Sequence, residues 1–445
     1  TPLTRLFGLL LASFLIAGCD SGEEPQANKK PEPETPAPAP AVADDVTDPF
    51  VGTGLDDPKT PKDKPRKKTV EKTVDAGEPD REGDDWPVFL GLHGTGVSDE
   101  TGLIETWPET GPPMIWKREI GTGYSAPSVR GNRLVVHHRP GGFKPDRKKF
   151  DGNEEVVECL RADDGRLVWK HTYETTYEDP YQYSGGPRCT PLLTEDRCYT
   201  YGADGMLLCL DLKTGQPIWS RDCKADYKLG AWFFGAGCTP IMEGDLLIVL
   251  VGGQPNAGVV AFNPDTGKTV WEAVGKETWD GVLTDDGEGD KYRWTGEEHL
   301  VSYSSPFAAT IHGKRHLLCL VRQGLVSLDA KTGQLNFKYW FRPRVHESVN
   351  AARPVVIDDK IFLSAAYRTG SALLQVNKDG MGYEVLWRDS RNMLTHWSTA
   401  IAADGFIYGF SGRNKPEGMF RCLDMKTGDV VWETDGLAGD LDDLE

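Results

Sequence analysis

Cys209-Leu-Asp-Leu-Lys-Thr-Gly-Gln-Pro-Ile-Trp219 is the stretch that decides the fold, because it returns along the chain. It recurs as Ala261-Phe-Asn-Pro-Asp-Thr-Gly-Lys-Thr-Val-Trp271, as Ser327-Leu-Asp-Ala-Lys-Thr-Gly-Gln-Leu-Asn-Phe337 and as Cys422-Leu-Asp-Met-Lys-Thr-Gly-Asp-Val-Val-Trp432. Looser copies run from Cys159 to Trp169 and, with a longer turn, from Val376 to Trp387. Such self-similarity marks a repeat architecture. In each copy Asp or Asn opens a turn by accepting nearby backbone N–H groups, and Gly takes the positive φ that the hairpin requires. The closing aromatic is large enough to fill the wedge between neighbouring units. That role falls to Trp116, Trp169, Trp219, Trp271, Phe337, Trp387 and Trp432.

Upstream of each copy lies a second pattern: a short polar or Ala-Arg step, Pro in five of the six copies, then an apolar strand, a polar turn and another strand. The copies begin at Ser125-Ala-Pro127, Cys189-Thr-Pro191, Cys238-Thr-Pro240, Ser304-Ser-Pro306, Ala352-Arg-Pro354 and Ser398-Thr-Ala400. Two strands from this half and two from the aromatic half make a four-stranded antiparallel blade, and its radial repetition is an all-β propeller. Six full repeats are legible. Met114 to Ile120 reads as the outer strand of a further, closing blade, with Trp116 in the aromatic position. Only thirteen residues follow Trp432, acidic and without a strand pattern. The expectation is therefore a propeller over 86–445 that is C-terminally incomplete, from a parent of seven or eight blades.

Composition agrees with many tight turns: the 445 residues include 50 Gly and 30 Pro. The net charge of −18, with no basic face in the pattern, argues against nucleic acid as a partner, since phosphate binding needs a local Lys/Arg excess. None of the nine Cys form a C-x-x-C pair, so zinc-ribbon and thioredoxin-type chemistry have no support. Cys159, Cys209 and Cys422 share one repeat position and Cys189 and Cys238 another, which reads as small buried side chains. A Cys189–Cys238 disulfide is the alternative, and blade spacing argues against it. His137 and His138 alternate across a strand, so at most one faces a site. The reading is of hydrogen-bonded surface residues.

The N-terminus reads as an address. Arg5 precedes an apolar run from Leu6 to Ala17 that ends in Ile16-Ala-Gly-Cys19. The run has signal-peptide length, and the small residues before Cys19 resemble a lipobox, so 1–19 is read as a lipoprotein signal with Cys19 as the lipidated residue. Residues 20–85 hold eleven Pro, one aromatic and eighteen Asp/Glu against ten Lys/Arg, too little apolar surface to fold, and read as a tether. An exported protein held at a membrane by acyl chains follows from this reading.

The Ala/Cys-x-Asp-x-x-Thr-Gly-x-x-x-Trp pattern resembles the repeat of pyrroloquinoline-quinone-like β-propellers. These include quinoprotein dehydrogenases and a lipoprotein branch that assists outer-membrane β-barrel assembly. The lipobox and tether place the chain nearer the lipoprotein branch. That resemblance implies a non-enzymatic scaffold whose partners are envelope proteins or peptides, with no cofactor. The dehydrogenase branch implies adjacent cysteines in a vicinal disulfide, a stacking Trp and a calcium ion held by carboxylate and amide oxygens. This sequence has no Cys-Cys dipeptide. Its acidic run from Asp285 to Asp290 lacks the spacing of a calcium loop. Pyrroloquinoline quinone and calcium are accordingly not expected. A quinoprotein dehydrogenase and a propeller sensor of a small ligand are the competing readings.

In a propeller, the loops between blades and the loops joining second to third strands gather at one mouth. Here they carry Tyr124, Tyr183, Arg188, Trp232, Tyr303, Arg353, His396 and Trp397. Two readings stand for them: a recognition surface for a peptide or planar ligand, or rings that plug the channel and cover blade ends. No Ser-His-Asp spacing, phosphate loop or H-E-x-x-H motif appears, and no catalytic residue is expected.

Overall fold

The repeated turn folds on its own chemistry. Asp211 Oδ1 accepts the Thr214 N–H and hydroxyl, both at 2.7 Å, while the Gly215 N–H returns to the Asp211 carbonyl at 2.8 Å. Asn263 with Thr266 and Gly267, and Asp329 with Thr332 and Gly333, repeat the arrangement. One register error emerges. In the fifth copy Leu373, not Val376, stands opposite Trp387, whereas Cys209 stands opposite Trp219, so this turn is four residues longer than the standard one. Every copy carries a β-bulge immediately after the residue opposite the aromatic.

In the computed structural model, residues 68–435 are described except 78–82, 103, 105, 107, 109–110, 145–148, 151, 230–233, 280–282, 286–290, 294–301, 343–348 and 414–417. They form a β-propeller with six blades among the described residues. Blade 1 runs Ser128–Arg130, Arg133–His138, Glu154–Arg161, Leu167–Glu174; blade 2, Leu192–Leu193, Arg197–Tyr201, Met206–Asp211, Pro217–Asp222; blade 3, Ile241–Glu243, Leu246–Val249, Val259–Phe262, Thr269–Ala273. Blade 4 runs Phe307–Ile311, Lys314–Val321, Gly324–Leu328, Leu335–Trp340; blade 5, Val355–Ile357, Lys360–Ala365, Gly370–Val376, Tyr383–Asp389; blade 6, Ile401–Ala403, Phe406–Ser411, Met419–Asp424, Val430–Thr434.

Neighbouring blades are joined by one repeated contact. In four places a repeat aromatic lies on the turn glycine of the next blade and donates its indole N–H to a carbonyl of that turn: Trp116 to Ala162 at 3.0 Å, Trp169 to Leu212 at 2.9 Å, Trp219 to Pro264 at 2.7 Å, Trp387 to Met425 at 2.9 Å. A Cβ on Gly165, Gly215, Gly267 or Gly428 would come within 2.6–2.7 Å of the ring. The glycine therefore serves twice, for its positive φ and for the ring above it. The Trp271 ring also covers Gly333, but its indole N–H has no acceptor among the described residues. Phe337 has no N–H to give, and the bond reverses: Tyr383 of blade 5 packs on its ring at 5.4 Å and donates its hydroxyl to the Lys338 carbonyl of blade 4. Trp432 stays 43% exposed and meets Tyr408 and Phe420 of its own blade.

Around the axis runs a second repeated contact. In four of the steps before the first strands, the N–H of the middle residue bonds the hydroxyl at the same position of the next blade: Ala126 to Thr190 at 3.3 Å, Thr190 to Thr239 at 3.0 Å, Thr239 to Ser305 at 2.9 Å, Arg353 to Thr399 at 3.2 Å. The segment 85–94 crosses the axis. Trp86 exchanges backbone bonds with Val129 of blade 1, Pro87 accepts from Leu193 of blade 2, and Gly94 lies against Arg353 of blade 5.

Three expectations change. Folded structure begins before Trp86, because Lys68–Lys72 adds a fifth strand to the outer edge of blade 1 and Ala76 is buried beside it. Alternation of Val70 and its neighbours suffices once a ready sheet edge exists. Met114 to Ile120 forms no strand, although Trp116 docks as the repeat demands; Met114 and Ile115 are exposed. His137 and His138 are buried rather than surface residues, since blade 2 covers one face and the 118–121 segment the other; His137 meets the Tyr173 hydroxyl and His138 Nδ1 accepts from Gly121. The eight described cysteines, Cys189 and Cys238 included, are free buried thiols. Residues 1–67, with Cys19 and the signal reading, lie outside the described residues.

Arg118 ties the 114–120 segment to blade 1 through Glu158 Oε2, at 2.8 and 3.1 Å. Burial alone would raise the Glu158 carboxyl, but His138 and Arg118 outweigh it and hold it at about 2. Its pKa is depressed by folding, so the associated stability is complete above the ordinary value of 4.5 and is lost as pH falls through about 2. In urea titrations from pH 6 to 2, Glu158→Gln should show a shallower acid loss than wild type. Parallel curves would contradict the assignment.

Candidate functional site

Loops at one end of the blades gather a run of aromatic rings. Asp179 shapes the first loop. Its buried carboxylate accepts the Tyr181 and Ser184 N–H groups, both at 2.9 Å, and Arg188 Nη2 at 3.1 Å. Tyr181 and Tyr183 then stack at 6.1 Å with planes 14° apart, Tyr183 67% exposed. Phe234, from the loop before blade 3, is the hub. It meets Tyr181 at 5.2 Å, Tyr183 at 6.1 Å, Tyr303 at 5.5 Å and, from the loop before blade 6, Trp397 at 6.2 Å. Trp397 stands 3.9 Å from His396, which meets Tyr367 edge-on at 5.1 Å, and the Arg413 guanidinium lies 4.4 Å over Tyr367.

The expected residues separate into a roof and a surface. Tyr303 is buried, its hydroxyl accepting the Phe234 N–H at 2.9 Å, and burial pushes its pKa up. His396 is buried; burial first and Arg413 second push it down to about 4, so it is neutral at pH 7. Arg188 is held by its own loop through Asp179, Ser184 and Gly186, with Tyr124 and Tyr177 against its guanidinium. Arg353 is buried at the axis on the Phe307 ring. Tyr124, Tyr183 and Trp397 remain on the surface. Trp232 lies outside the described residues. Phe234 meeting Trp397 joins loops that enter blades 3 and 6, so the rings cover the mouth and present an aromatic patch at once.

Sequence reading missed Asp179, Tyr367 and Arg413. The nine-residue spacing from Asp179 to Arg188 could have marked the first. The Tyr367 turn carries positive φ at two non-glycine residues, 56° and 60°, which no composition signal announces. Chemically, the patch offers ring faces for stacking on aromatic or planar groups. Among the described residues it offers no base paired with a nucleophile.

Residues 153–434 match the family described as outer membrane protein assembly factor BamB. The quinohemoprotein alcohol dehydrogenase ADH-IIG of Pseudomonas putida is 24% identical over 321 residues, covering 64% of this chain and 41% of that protein. The chain thus spans about two fifths of that relative's length. Among solved structures, BamB from Moraxella catarrhalis has a TM-score of 0.45 at 13% identity, over 70% of this chain and 75% of that one. A europium-containing methanol dehydrogenase has 0.37 at 14%, over 80% and 86%.

The vicinal disulfide that the dehydrogenase resemblance implies has no counterpart in this sequence. No two cysteines are adjacent, and burial pushes the Cys159 and Cys238 thiols up to about 12. Among the described residues no three His, Cys, Asp or Glu side chains converge as metal ligands.

Proposed function

We propose, from the premise that this chain belongs to the family of the outer membrane protein assembly factor BamB, that it is a non-enzymatic, lipid-anchored propeller that binds extended protein segments in the cell envelope. One observation carries the reading: Tyr124, Tyr181, Tyr183 and Trp397 form an exposed aromatic patch at the blade mouth, roofed from beneath by Phe234 and Tyr303. Rigid rings with few rotors give contact area at low entropic cost. Membrane β-strands alternate apolar and polar residues, and such a segment would lay one aromatic row on the patch.

A fluorescent peptide alternating Phe and Gln tests the reading by polarisation. Wild type should bind saturably, with Trp397→Ala or Tyr183→Ala weakening it about tenfold or more, since hot-spot truncations exceed about 1.4 kcal/mol. Ile218→Ala, exposed on blade 2, should leave affinity unchanged. Absence of binding, or equal affinity in all variants, would refute it. The anchor is read from fractionation, where Cys19→Ser should leave the membrane pellet. Dye reduction by alcohol on adding pyrroloquinoline quinone and calcium would instead favour the dehydrogenase reading.

A further inference from the structure

Arg353 interrupts the axial ring of hydroxyls. Its repeat equivalents are Ala126, Thr190, Thr239, Ser305 and Thr399, and three successive bonds run from blade 1 to blade 4 through these positions. Ser305 should give its N–H to the next hydroxyl, but blade 5 offers a guanidinium there. Arg353 is 7% exposed. Its ring neighbour Phe307 lies 4.6 Å from Cζ, and Gly94 closes on the Nη atoms so tightly that a Cβ there would sit 3.0 Å from Nη1. Nε is buried without a hydrogen-bond partner.

A buried cation without a counter-charge is costly. Neighbouring repeats show that this position accommodates threonine or serine, which would join the ring of hydrogen bonds instead. We propose that Arg353 is an anion site, and that its guanidinium binds a single carboxylate at the propeller axis. The planar fork of donors matches a carboxylate bidentately, and the Phe307 face holds the guanidinium plane from one side. The site stands apart from the aromatic patch, which is exposed while Arg353 is buried. Loss of peptide binding at the patch would leave it untouched. Two sources share this chemistry: a free small carboxylate and the terminal carboxylate of a peptide.

The test uses the intact protein, with thermal unfolding and titration calorimetry in sodium acetate against sodium chloride at equal ionic strength. Acetate should raise the wild-type midpoint saturably, by about 4 °C or more. Arg353→Thr should not respond and should melt higher than wild type in chloride, because it removes the buried charge and restores the hydroxyl. Arg353→Lys keeps the charge without the fork, and its acetate affinity should fall about tenfold. Acetyl-Gly-Gly and its amide distinguish the sources: a response to the free acid alone assigns a peptide terminus, and a response to acetate alone assigns a small anion. Equal acetate responses in wild type and both variants, or none in wild type, would overturn the proposal. Should Arg353→Thr fail to fold, the lysine variant decides.

Discussion

Trp169→Ala should cost about 3–5 kcal/mol of stability, whereas Trp432→Ala, at the same repeat position, should cost about 1 or less. Trp169 is fully buried, covers Gly215 and gives its indole N–H to the Leu212 carbonyl of blade 2. Truncation removes a large apolar surface, opens a cavity between two blades and strands a carbonyl, three losses in one place. Trp432 is 43% exposed and rests on its own blade. Urea unfolding monitored by circular dichroism measures both. Equal losses would mean that burial within the blade, rather than docking between blades, sets the value of the aromatic. Gly215→Ala probes the same joint from the other side and should also destabilise, since the added Cβ meets the Trp169 ring at 2.6 Å and the backbone has φ +71°.

Glu155→Ala should be comparably severe, at about 3–5 kcal/mol. The Glu155 carboxylate is wholly buried between blades 1 and 2. It accepts the Tyr173 hydroxyl at 2.5 Å and the Ala203 N–H of blade 2 at 3.0 Å, and stands 3.4 Å from His137 Nε2. Its removal leaves a buried hydroxyl and a buried N–H without their acceptor. Gly202 is part of the same fit, because a Cβ there would lie 2.4 Å from both Glu155 Oε2 and the Tyr173 oxygen. A double-mutant cycle with Tyr173→Phe should show coupling of about 0.5–3 kcal/mol. Strict additivity would show that the two groups do not act through their shared hydrogen bond.

Legibility followed the range of each interaction. The Asp211, Thr214 and Gly215 turn closes within five residues, so its chemistry stands in the sequence and six copies of it announce six blades. Trp116 was recognisable for the same reason, and it docks on Gly165 even though 114–120 has no strand partner. The fifth copy was misregistered because its longer turn hides which residue faces Trp387. Lys68–Lys72 was read as tether because its composition is polar, and only the open edge of blade 1 makes it a strand.

The propeller and its blade count among the described residues stand in the sequence, because turn chemistry and strand alternation are local and repeat, and the repeat names loops expected at the mouth. Tertiary structure alone decided what those loops do. Phe234 and Trp397 are far apart in the chain, yet they meet at 6.2 Å because the ring of blades brings their loops to one end. Arg188, expected at a recognition surface, is held inside its own loop by Asp179. Arg353, expected beside it, sits at the axis with its backbone N–H on the Thr399 hydroxyl and its Nε unpartnered, because the blade geometry places its repeat position in a ring of hydroxyls. Such pairings depend on where distant backbones are placed, and no pattern along the chain carries that information.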